Sequence, residues 1–158
     1  MAPYETLYHS GPPTPDLLQH PVLSFYAKYG ANFIKPNEFR DAPFDDFYSA
    51  DTVFTETDGT IIHGGAVVWE HYDELFGPFQ HTHDAKSFVL ITDKEEEKYT
   101  LYIEDVTTFV PHGKTEGTTI PRFFIYTIRK ADPGKGTDGF QICAIRNFFD
   151  KTPLQKYN

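Results

Sequence analysis

The chemistry in this 158-residue chain would fall to ionisable side chains that interrupt apolar, aromatic runs. His81 and His83 flank Thr82, so on an extended strand both side chains face the same way. An imidazole there can act as general base or acid near neutral pH. The plainer alternative is a strand-end histidine with one edge in solvent. Histidines at i and i+2 can also chelate a metal, but no third ligand accompanies them and no metal site is expected. Glu104 stands in LYIEDVTTF, where period-two alternation puts Tyr102 and Glu104 on one face and Ile103 and Asp105 on the other. By the same rule Arg122, Phe124, Tyr126 and Ile128 share a face of the next run. If Tyr102–Glu104 and Arg122–Tyr126 both point inward, one pocket gains an acid, a base and two phenols. A carboxylate beside an arginine stays ionised, whereas one desolvated among aromatics has its pKa raised and can donate a proton. The competing arrangement is a cross-strand ion pair on the outer, solvent or dimer face.

Arg40 lies with Asp41, Asp45 and Asp46 ahead of the next strand. Its guanidinium could clamp a substrate oxygen in bidentate fashion, or sit in a surface salt bridge. Tyr26 and Tyr29 could line a pocket or simply pack in a core.

The elements that must hold these groups centre on residues 47–79. Strand Asp51–Thr57 turns at Asp58-Gly59, where glycine accepts positive φ, into Thr60–His63. Gly64-Gly65 breaks the strand, and apolar spacing of three to four residues predicts a helix to Phe76, stopped by Gly77-Pro78. Upstream, a helical pattern begins at Asp16, a cap for Leu17 and Leu18, and Pro21 either opens a second helix or kinks this one; Val22, Phe25, Tyr26, Tyr29 and Phe33 predict a helix over Val22–Phe33. Downstream, four runs predict strands: His83–Thr92, Tyr99–Pro111, Thr118–Lys130 and Phe140–Phe149. Helices followed by strands give an α+β layout. Residues 1–16, rich in proline, read as an extended arm or loose tail, and 17–158 as one domain.

Composition excludes several classes. With 39% hydrophobic and 16% aromatic residues the chain is globular, its aromatics suiting either an apolar cavity or plain core packing. A formal net charge of −9 argues against nucleic-acid binding. Cys143, the single cysteine, sits in an apolar run and reads as a buried, inert thiol. No apolar run approaches a membrane span, and the N-terminus lacks a signal-peptide pattern, so a cytoplasmic protein is expected. Nucleophile elbow, phosphate loop, dinucleotide fingerprint and CxxC are all absent.

The element order, together with FYSADTVFT (47–55), HGGAVVWEHY (63–72) and RNFFDKTPL (146–154), resembles the SnoaL-like branch of the nuclear-transport-factor-2-like superfamily. The resemblance implies a cone: N-terminal helices packed in a strongly curved, mostly antiparallel sheet with a central pocket. Members include polyketide cyclases, dehydratases, epoxide hydrolases and steroid isomerases, and also non-catalytic binding and dimerisation modules. It further implies cofactor-free acid–base chemistry in that pocket. His83 matches the position of a catalytic histidine in the family's scytalone dehydratase. That enzyme's second histidine and its Tyr-Asp pair have no counterpart here.

The expectation is therefore an isomerase, cyclase or dehydratase acting on a small apolar, polycyclic or terpenoid-type metabolite. His83 or Glu104 would be the base, Tyr126 and Tyr102 the hydrogen-bond donors, and Arg122 or Arg40 the anion stabiliser. Tyr26, His81 and Phe124 would contact the substrate. The alternative is a non-catalytic ligand-binding or dimerisation module. Either way the resemblance implies a homodimer through the outer sheet face.

Overall fold

In the computed structural model, which describes residues 3–34 and 41–157, the first element lies in the stretch read as an extended arm or loose tail, and it is extended and paired to the sheet. Strand β1 (Tyr4–Ser10) pairs antiparallel with the strand that runs Phe79–Asp93, in register from Tyr4–Asp93 to Ser10–Ser87. The residues expected to form an arm or tail thus cover a sheet edge, whose free N–H and C=O groups need partners. Pro12, Pro13 and Pro15 follow and cannot extend the ladder.

After a 3-10 turn at Leu17–Gln19, Pro21 opens helix α1 (Pro21–Ile34). A proline is tolerated at the first helical position because its missing N–H would have no helical partner there. Asp16 makes no capping bond; the Leu17 N–H donates to Thr14 Oγ1 instead (3.4 Å). The buried stripe of α1 is Val22, Leu23, Phe25 and Tyr29.

Strand β2 (Tyr48–Thr55) and the short β3 (Ile61–His63) form the hairpin, and helix α2 (Gly65–Phe76) follows. Gly64 has φ +98°, and a Cβ on Gly65 would collide with the Ser49 carbonyl oxygen. These glycines let α2 lie against β2, where Trp69 meets Tyr48 edge-on and Tyr72 meets Phe54.

Four strands then complete the sheet: β4 (Phe79–Asp93), β5 (Lys98–Pro111), β6 (Thr118–Lys130) and β7 (Phe140–Phe148), with a last short helix α3 (Thr152–Gln155). The order is β1-β4-β5-β6-β7-β2-β3, antiparallel throughout except for the parallel pair β2–β7. The result is an α+β cone, an open curved sheet with helices on its inner side.

Two irregularities decide which side chains face inward. In β4 the register with β5 shifts between Ala85 and Ser87. Lys86 is the extra residue of this bulge, so odd positions up to Ala85 and even positions from Phe88 share the inner face. On β5 the buried positions are Leu101, Ile103, Asp105, Thr107 and Phe109; on β6 they are Ile120, Arg122, Phe124, Tyr126 and Ile128.

Candidate active site

Between α1, α2 and the inner faces of β4, β5 and β6 lies a cavity of about 290 Å³. Its walls are mainly apolar, with Leu23, Phe88, Leu101, Ile103 and Phe124 among them. Pro13 and Leu18, from the segment joining β1 to α1, close part of the wall. Ligand pockets of about 300–1,000 Å³ are usual, so this one suits a small ligand.

His83 and Asp105 form the polar focus. His83 Nδ1 lies 2.9 Å from Asp105 Oδ2, and Thr107 Oγ1 donates to the same oxygen at 2.6 Å. Register makes this pairing: His83 stands opposite Thr107, and Ala85 opposite Asp105, so the imidazole reaches diagonally to the carboxylate. Burial would push the Asp105 carboxyl up, but hydrogen bonds from His83 and Thr107 and the charge of Arg122 hold it below the usual range. An ionised carboxylate only accepts, so His83 donates from Nδ1 and keeps Nε2 as a free base. The Asp105 side chain is 3% exposed and that of His83 is 30% exposed, which leaves the imidazole reachable by a ligand.

Arg122 is the second feature. Its Cζ lies 4.2 Å from the Phe124 ring centroid, 4.6 Å from Phe149, 4.7 Å from Phe76 and 5.5 Å from Phe109. Nη1 donates a long bond to Thr107 Oγ1 (3.4 Å), while buried Nε and Nη2 have no hydrogen-bond partner among the described residues. Desolvating a cation costs on the order of several kcal/mol, and a desolvated cation–π contact returns about 2 kcal/mol. The rings offset part of the cost, and desolvation still lowers the pKa of the guanidinium.

Phenols supply the remaining polarity. Tyr26 and Tyr126 pack with ring centroids 5.2 Å apart. Burial raises both pKa values, so both remain protonated and able to donate at neutral pH. Behind them Tyr29 and Tyr48 share a 2.6 Å bond between hydroxyls. His81 lines the cavity, with its pKa pushed down to about 4 by burial; neutral, it donates from Nε2 to the Phe76 carbonyl (2.9 Å). It braces the end of α2 against β4.

Of the residues singled out in the sequence, His83, Arg122, Tyr126, Tyr26, His81 and Phe124 all line this cavity. Glu104 and Tyr102 do not. Glu104 is exposed on the outer face, accepting from Ser87 Oγ at 3.1 Å, and Tyr102 packs on Phe123 with centroids 6.3 Å apart. The physical reason is register: Asp105, not Glu104, stands opposite Arg122. Arg40 lies outside the described residues. Asp105 and Thr107 are the site residues that the sequence reading missed.

No protein family and no curated protein matches the sequence. Among solved structures, an NTF2-like protein of unknown function in nutrient uptake from Rhodospirillum rubrum superposes with a TM-score of 0.60 at 16% identity, over 80% of this chain and 95% of that one. The chain has the nuclear-transport-factor-2-like fold. A putative aromatic ring hydroxylase from Novosphingobium aromaticivorans aligns with this NTF2-like chain at a TM-score of 0.62 and 18% identity, covering 87% of this chain and 92% of its own. A CaMKII hub from S. rosetta gives 0.62 and 12%, covering 88% and 99%. The same NTF2-like cone therefore recurs in a protein described as an enzyme and in one described as a hub. Among the described residues no helix is long and apolar enough to cross a membrane.

Proposed function

We propose that the cavity carries out cofactor-independent proton transfer on a small apolar or polycyclic metabolite, in an isomerisation, cyclisation or dehydration. The observation that carries this reading is the His83–Asp105 pair, with Nε2 left free at the edge of an apolar, phenol-bearing cavity. His83 Nε2 removes a proton from a carbon next to a carbonyl. The C–H electron pair moves into the carbonyl system, giving an enolate whose oxygen is held by the Tyr126 or Tyr26 hydroxyl and the field of Arg122. Asp105 orients the imidazole and stabilises the imidazolium. Where a C=C bond lies β,γ to the carbonyl the enolate is a dienolate, and return of the proton to its γ carbon moves the double bond into conjugation, completing an isomerisation without any co-reactant.

The test is deuterium incorporation at the acidic carbon of bicyclic ketones in D₂O, followed by mass spectrometry. General-base catalysis is worth about 10²–10⁴-fold. His83→Gln should therefore lose the exchange by about that factor while staying folded, and full exchange in His83→Gln would sink the assignment.

A second reading, a non-catalytic ligand-binding or dimerisation module, draws on the outer sheet face, where Phe123 is 39% exposed. Absence of exchange with every ketone, alongside ligand binding, would favour it. Homodimerisation through that face is part of both readings. A cytoplasmic site of action belongs to the proposal too, and fractionation of cells making the tagged chain tests it.

A further inference from the structure

Arg122 presents more hydrogen-bonding capacity than the acid–base step requires. A transient enolate oxygen is served by one or two donors, and the phenols of Tyr26 and Tyr126 already provide them. The guanidinium adds two donors, Nε and Nη2, buried and without partners among the described residues. These two nitrogens form one edge of the planar group, with parallel N–H bonds spaced to meet the two oxygens of a carboxylate.

The surroundings select the same kind of ligand. No carboxylate lies within ion-pairing distance of Arg122 among the described residues; its one hydrogen bond goes to neutral Thr107, which itself donates to Asp105. Four phenylalanine rings hold the cation in place without neutralising it. The rest of the cavity wall is mainly apolar, its other polar groups being the His83–Asp105 pair, neutral His81 and protonated phenols such as those of Tyr26 and Tyr126. A cation kept out of water, with a two-pronged edge unmet, complements an anion that arrives with the ligand.

We infer that the ligand of this cavity is an apolar ring compound carrying one carboxylate, which docks on the Nε–Nη2 edge of Arg122 while its rings lie along Phe88, Ile103 and Phe124. This names the substrate class for the cavity proposed above and rests on that reading. A neutral amide of the same shape offers one acceptor and turns two N–H donors against the guanidinium. The carboxylate is therefore favoured by the difference between a charge-assisted pair and a mismatched one, roughly 10- to 100-fold in Kd.

The experiment titrates the full chain with 2-naphthoate and with 2-naphthamide by calorimetry at neutral pH, then repeats both with Arg122→Met. The expected result is at least about a tenfold preference for naphthoate in the unchanged protein, and none in Arg122→Met. The melting temperature of the empty variant should be equal or higher, because an apolar side chain replaces an uncompensated buried charge. Equal binding of the two probes by the unchanged protein would overturn the carboxylate proposal and leave the proton-transfer reading standing. A preference that persists in Arg122→Met would overturn the assignment to Arg122. Binding of neither probe would overturn the ligand site and the carboxylate proposal together. The comparison in the unchanged protein decides the matter even if the variant does not fold.

Discussion

Asp105 and Arg122 stand directly opposite each other on β5 and β6, yet Thr107 is the group that joins them. Its hydroxyl donates to the carboxylate and receives the long bond from Arg122 Nη1. The carboxylate thereby also accepts from His83, while Nε and Nη2 of the guanidinium stay buried without a partner among the described residues. One small side chain separates a base-orienting group from a cation that would otherwise neutralise it.

Asp105→Asn tests that division. Asparagine keeps the shape but removes the charge that supports an imidazolium on His83. Exchange of bicyclic ketone protons should fall by about 10²-fold or more, with near-ultraviolet circular dichroism unchanged. An exchange rate within twofold of the native protein would remove Asp105 from the mechanism.

Glu104→Gln is the matched control. Its side chain lies one residue away in sequence but on the opposite face of β5, bonded to Ser87. Substitutions at exposed positions usually stay within about 0.5 kcal/mol, so stability and exchange should both remain near native. A large loss of exchange in Glu104→Gln would show that the inner and outer faces have been assigned the wrong way round.

The contrast between neighbours marks how far the sequence could be read. The helix α1, the hairpin, the Gly-Gly entry to α2 and the later strands follow from periodicity and turn residues, their order gives the α+β layout, and the cone is what the family resemblance implies. Strand parity was harder, because Leu101–Phe109 is apolar and polar on both faces in similar measure. A usable signal was nevertheless present. A turn spanning His112–Gly117 pairs odd residues of β5 with even residues of β6, as in the observed Asp105–Arg122 and Ile103–Phe124 pairs. Opposed residues share a face, so Glu104 could not have joined Arg122 and Tyr126 inside. The bulge at Lys86 left no such trace, since period two alone carries Phe88 to the face opposite His83. The strand at Tyr4–Ser10 was hidden in turn by the prolines that follow it.

The outer face carries its own prediction. Tyr102, Phe123 and Phe148 form a row of rings with centroid spacings of 6.3 and 6.2 Å, and Arg146 lies over Phe148 at 5.2 Å. Phe123 is exposed and its two neighbours are half-buried, and an aromatic patch open to water can mark an association surface. Sedimentation equilibrium should give twice the mass of one chain, and Phe123→Lys should shift the population to single chains. A native protein that sediments as a monomer at micromolar concentration would dispose of the dimer.

Glu56 offers a prediction about stability rather than catalysis. It lies just after β2 with its side chain only 6% exposed, accepting from His71 Nε2 on α2 at 2.7 Å and from Lys151 ahead of α3. Burial alone would raise its pKa, but His71 and Lys151 outweigh it and hold the carboxyl below its usual value. A carboxyl depressed on folding contributes stability above its unfolded pKa of about 4.3, and that contribution disappears as pH falls through the folded value. His71 and Lys151 retain access to water, with side chains 28% and 32% exposed, which keeps the penalty below that of a fully buried pair. Glu56→Gln should therefore cost about 1–3 kcal/mol in urea unfolding at neutral pH. The difference from the native protein should narrow as pH drops below about 4. A difference that stays constant across that range would mean that Glu56 acts through its shape and not its charge, and that the link between hairpin, α2 and the C-terminal turn is not electrostatic.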